Sequence, residues 1–308
     1  MKKLLLIILA QILWAAGFSQ SLPLNKMGTP FRRPDLDVRW NVPTNALPPQ
    51  IWGYRIVAEK PSSTIIANLM QVGSFTDKDK VKEDANELSF KSSNNFRSLE
   101  INFHGKILFQ AEHHYGPTNM ARDVPKMNQM PKLTEHFLPK LGIEASDIAK
   151  NTNGAPDFNY WEPFTEYYIE HRFVTNVEFR AVSFKRALNG FDFVGNDGQI
   201  FFGEHGQVSK ISLWWPKVER DKLYSTATPE TIIKWMRNGK AVQGRIQWDS
   251  NGIYWPTVKS VTVKKAEICY LGTENYAYPI VALWTTIDTG HGNIDVEIDC
   301  PIIDEAQP

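Results

Sequence analysis

Apolar and polar residues alternate with a period of two along much of this chain. Leu99, Ile101 and Phe103 alternate with polar neighbours, His104-Gly105 marks a turn, and Ile107, Phe109 and Ala111 alternate again. This pattern predicts a hairpin. Residues Gln199 to Phe202, a Gly203–Gly206 turn and residues Gln207 to Trp215 repeat it, with Ile211, Leu213 and Trp215 on one face. Phe173 to Phe184 is a further strand-rich run, ending near the Asn189-Gly190 turn. Three more alternating runs carry Ile268 and Tyr270, then Ile280, Ala282 and Trp284, then Ile294, Val296 and Ile298. Asp295, Glu297 and Asp299 oppose the last set, which predicts one wet sheet face.

Helical patterns are few. Ile65, Ile66, Leu69 and Met70 share a face, with Ser62 or Ser63 as N-cap and Gly73 as stop. Thr228, Pro229 and Glu230 open a second helix with an Ile232, Ile233 and Met236 stripe ended by Gly239. A third spans Lys132 to Leu141, weakened by Pro139.

So few helices cannot cover both faces of a parallel sheet. The expected class is therefore α+β, with antiparallel sheets each packed by one or two helices. Proline and glycine breaks divide the chain. Residues 21–50 read as a Pro-rich extended arm, 51–114 as a first α+β unit, 115–128 as a linker, and 129–308 as a second, larger α+β region.

Residues 1–20 have the pattern of a signal peptide. Lys2 and Lys3 precede an uncharged apolar run, and Ala15, Ala16, Gly17 and Ser19 supply small residues for cleavage. The run is shorter than the roughly 20 residues that span a bilayer. The expectation is a secreted or periplasmic mature chain. Losing the two leader lysines leaves the 34 acidic residues in slight excess, a net charge of about −2, which argues against nucleic acid as a partner. Only Cys269 and Cys300 are available for a disulfide, and two buried thiols on separate strands are the alternative.

Residues 177–216, "VEFRAVSFKRALNGFDFVGNDGQIFFGEHGQVSKISLWWP", run strand, Asn-Gly turn, short strand and Gly-turn hairpin. The helix "TPETIIKWMRNGKAV" and the strand pair "AEICYLGTENYAYPIVALWTTIDT" follow. This order resembles tandem PepSY-like domains, as in the extracytoplasmic YycI/YycH-type regulators of two-component sensor kinases. The resemblance covers residues 129–303 and, more faintly, 62–114. It implies non-enzymatic binding to another envelope protein, such as a sensor kinase or protease, with no fixed set of functional residues. Those regulators usually keep an N-terminal transmembrane anchor, whereas this leader has a cleavable pattern.

Catalytic signatures are scarce. Glu112, His113 and His114 are the best metal ligands by composition, yet successive strand residues point to opposite faces. Glu162, Glu166 and Glu170 would line one face of a helix, where an acid and base pair is conceivable but a solvated surface is the ordinary use. No phosphate loop or nucleophile elbow occurs. Neither a catalytic residue, a metal site nor a cofactor is therefore assigned. Aromatics cluster instead. Of the adjacent Trp214 and Trp215, alternation sends one to the core and one outward, and with Trp255 they are the candidate ligand-binding residues. The expected function is a non-enzymatic binding and regulatory protein engaging an envelope protein. The alternative is a secreted glycan-binding module or glycan-active hydrolase using Trp214 or Trp255 with Glu162 or Glu166.

Overall fold

The computed structural model describes residues 31–43, 45–112, 115–116, 118–243 and 255–303. The predicted leader lies outside them. Among these residues 49% are in strands and 18% in helices, with three α-helices in all. The expected α+β class, with each sheet packed by helices, is therefore wrong: the protein is mostly β. Long β-branched and aromatic segments that carried no clear alternation in the sequence also fold as strands.

In chain order the elements are β1 (Asp37–Trp40), β2 (Gln50–Val57), α1 (Ser63–Gly73), β3 (Lys80–Glu83), β4 (Glu87–Lys91), β5 (Arg97–Asn102) and β6 (Lys106–Ala111). There follow α2 (Met130–Phe137), β7 (Phe158–Trp161), β8 (Thr165–Ile169), β9 (Arg172–Asn176), β10 (Arg180–Leu188), β11 (Phe191–Phe202) and β12 (Val208–Trp214). The last are β13 (Lys217–Ser225), α3 (Pro229–Arg237), β14 (Val242–Gln243), β15 (Ser260–Gly272), β16 (Tyr276–Asp288) and β17 (Asn293–Pro301). They form two compact units. One comprises the chain up to Gly53, Lys222–Cys269 and the chain from Tyr278; the other comprises Tyr54–Asp221 and Tyr270–Ala277.

In the second of these, which we call the central unit, eight antiparallel strands run in the order β7-β10-β11-β12-β6-β5-β4-β3. One face is apolar. Phe90, Leu99, Ile101, Phe109, Phe184, Ile200, Phe202 and Ile211 project from it into one core with Leu69 of α1 and Phe137 of α2. Each such side chain contributes roughly 1.5–3 kcal/mol by leaving water. Helix α1 begins where Ser62 Oγ accepts from Ile65 N at 3.3 Å, and it ends on Ser74 in the left-handed region. Helix α2 stops at Phe137 because Pro139 cannot continue it. Leu138–Leu141 instead form a 3-10 turn closed by Gly142.

In the other unit β1 lies parallel to β15, pairing Asp37 with Ser260 and Trp40 with Val263. Part of the Pro-rich arm is thus built into the fold, with Leu36 fully buried. Arg237 Nε also donates to Leu36 O at 2.9 Å. Helix α3 is capped by Thr228 Oγ1, which accepts from Thr231 N at 3.3 Å, and it buries Ile232, Trp235 and Met236. β17 pairs with β16 and β14. Asp299, expected on a wet face, is buried: its strand pairs with β14 as well as β16 and packs against α3.

Cys269 and Cys300 are buried and not bonded to each other, so the structure does not form the disulfide considered for them. Cys269 lies on β15 and Cys300 on β17, strands that pair with β16 and not with each other. Two strand spacings make about 9–10 Å, beyond the 7 Å Cα separation a bridge tolerates. Burial, with help from the Asp299 charge, pushes the Cys300 thiol well above its ordinary pKa. The native protein should therefore leave Cys300 unlabelled by a thiol reagent at pH 8, and unfolding in guanidinium should release two reactive thiols. Absence of free thiol after non-reducing unfolding would refute this arrangement.

Candidate functional site

A groove of about 990 Å³ in the central unit is lined by Pro131, Leu138, Pro139, Ile143, Phe158 and Tyr160 among others. Pro131 and Pro139 stand at the start of α2 and in the 3-10 turn after it, so the helix cannot extend and close the groove. On the opposite side Phe158 and Tyr160 alternate with Asn159 and Trp161 along β7, which sends both rings toward the helix side. Pro156 and Ala155 also line it.

Two features give this groove chemistry beyond apolar volume. First, β7 pairs with β10 alone. Its other edge pairs with no strand among the described residues, and an open edge leaves backbone N–H and C=O groups able to pair with another chain. Secondly, Glu135 and Glu144 stand on the groove wall, both exposed. Neither has an ion-pair partner among the described residues. Burial raises the Tyr160 phenol above its ordinary pKa, and the Glu135 charge adds to the rise. The groove thus has apolar walls, an anionic rim and an unused strand edge.

The residues singled out in the sequence fall elsewhere. Trp215 packs against the core, its ring 5.7 Å from that of Phe184. Trp214 points to the opposite sheet face. Trp255 lies in a 3-10 turn, Trp255–Thr257, of the other unit. Glu162, Glu166 and Glu170 do not share a helix face. Glu162 follows β7 and pairs with Arg180, Glu166 is on β8, and Glu170 is in the β8–β9 turn. Tyr167, Tyr168, Ile169, Phe173 and Val174 favour strand over helix there. Glu112 is exposed, and His113 and His114 lie outside the described residues. Among those residues no three His, Cys, Asp or Glu side chains gather as a metal site.

The β8–β9 hairpin carries the most exposed aromatics, Phe173 at 72%, Tyr168 at 65% and, just before it, Phe164 at 60%. Its strands pair only with each other, and its turn holds Glu170 and His171 in the left-handed region. Only the proline breaks mark the groove in the sequence, because its carboxylates and rings come from separate segments with no shared period. No family model and no curated protein matches the chain. No helix among the described residues is long and apolar enough to cross a membrane.

Proposed function

We propose that the mature chain is a non-enzymatic binding and regulatory protein outside the cytoplasm, which holds an extended segment of another envelope protein in the groove beside β7. The observation that carries this reading is the open β7 edge next to an apolar, carboxylate-rimmed groove. An extended peptide can add to such an edge through its backbone while alternate side chains enter the groove, and this combination gives both affinity and selectivity. Glu135 and Glu144 favour a segment with Lys or Arg flanking an apolar residue. A sensor kinase or protease of the envelope, the partner class implied by the resemblance to YycI/YycH-type regulators, would offer such a segment in an exposed loop or juxtamembrane stretch. Secretion with removal of the leader is part of the same reading.

A photoreactive phenylalanine analogue at Tyr160, introduced in the producing cell, tests the proposal. Cross-linking is expected to trap one envelope protein through a segment containing Lys or Arg. The joint Glu135→Lys and Glu144→Lys change should weaken binding of the matching synthetic peptide at least about tenfold, or roughly 1.4 kcal/mol. Cross-links scattered over many proteins, or a peptide affinity untouched by the charge reversal, would overturn it.

A further inference from the structure

The face of the central sheet opposite its core carries a second concavity, of about 420 Å³, lined by Lys106, Leu108, Asp197, Gln199, Ser212 and Trp214, with Gly195 at its edge. Strand register sets these residues side by side. Trp214 opposes Lys106 and Ser212 opposes Leu108 across β12 and β6, while Gln199 opposes Ser212 across β11 and β12. Asp197, two residues from Gln199, continues the row that holds Trp214. We propose that this platform binds a pyranose ring of a polysaccharide, independently of the groove beside β7.

The Trp214 ring is held before any ligand arrives. Its Nε1 donates to His104 O at 3.2 Å. One ring edge lies against Gly195, where a Cβ would stand 3.6 Å from the indole. A fixed indole presents a flat apolar surface without further loss of rotamer freedom on binding. Around it Asp197 accepts hydrogen bonds, Lys106 donates them, and Gln199 and Ser212 do both. None of these four side chains has a hydrogen-bond or ion-pair partner among the described residues. A sugar ring has the matching construction, with a C–H face to lie on the indole and hydroxyl groups at its rim that both donate and accept. The volume lies within the roughly 300–1,000 Å³ of small-ligand sites. The charges mix both signs, which fits a neutral sugar better than a polyanion.

Affinity electrophoresis of the mature protein through gels containing β-1,3-glucan, xylan, galactomannan, chitosan or alginate tests this. Retardation is expected in at least one neutral-polysaccharide gel. Trp214→Ala should weaken that retention at least about tenfold, and Asp197→Asn, which leaves the indole in place, at least about threefold. Trp284→Ala, which removes an exposed indole from the other unit, should change nothing. Circular dichroism melts establish that each variant folds, and Asp197→Asn decides the matter should Trp214→Ala fail to fold. The proposal is overturned by passage of the wild type through every neutral gel without delay. Retention equal in the wild type and folded variants of both residues would overturn it too.

Discussion

Gly105→Ala should destabilise the central unit by at least about 3 kcal/mol, one of the largest single-site effects expected in the chain. Gly105 sits in the β5–β6 turn with φ +86°, where a side chain itself costs on the order of 1 kcal/mol. The larger part is steric. A Cβ at this position would stand 2.2 Å from Pro216 Cα and 2.3 Å from Pro216 N. These are backbone atoms, so no rotamer change relieves the overlap. The turn and the end of β12 would separate, breaking the bond from Trp215 N to Gly105 O at 2.7 Å. That from Trp214 Nε1 to the neighbouring His104 O would loosen with it. Gly154→Ala is the control: its φ is +76° but nothing lies within 4 Å of its Cβ. It should cost only about 1 kcal/mol. Urea titrations of the two variants followed by tryptophan fluorescence would measure the difference, and equal losses would show that Pro216 yields. Because the same turn holds Trp214, Gly105→Ala should also weaken polysaccharide retention under conditions where it remains folded.

How much of this was legible in the sequence depends on how local each signal is. The hairpin around Gly105 and helices α1 and α3 follow from turn residues, caps and periodicity within a dozen positions. The alternation that sends Trp214 and Trp215 to opposite faces is equally local. The burial of Asp299 is not local, since β17 packs against α3, more than fifty residues earlier in the chain. The helix drawn through Glu162, Glu166 and Glu170 shows a related failure. Their spacing was sought on a helix, although the aromatic and β-branched residues between them dictate strands. The α+β class fails for the cumulative reason that aromatic and β-branched segments such as β2, β7, β8 and β9 add strands, while only three α-helices form among the described residues. Glu135, Glu144 and Tyr160 were invisible as a group, since only tertiary packing of α2 beside β7 brings them together.

Arg186→Ala is expected to cost about 2–4 kcal/mol, whereas Arg186→Met should cost less than about 1.5 kcal/mol. The Arg186 guanidinium lies 5.3 Å from the Trp215 ring centroid and 5.9 Å from that of Phe193. Its Nη1 donates to Pro216 O, but its Nε, also buried, has no acceptor among the described residues. Burial pushes its pKa down to about 10, only partly opposed by the Asp147 charge, so it stays cationic at neutral pH. A desolvated cation with one donor unmet returns little net stability from its charge, and most of what Arg186 supplies is the packing of its stem and planar head between two rings. Methionine keeps much of that volume and removes the unmet donor, at the expense of the bond to Pro216. Alanine loses packing, bond and volume together. If the two variants prove equally unstable in urea, the bond to Pro216 outweighs packing. The β12 end beneath Trp214 is then held chiefly by polar contacts, from Arg186 on one side and the Gly105 turn on the other.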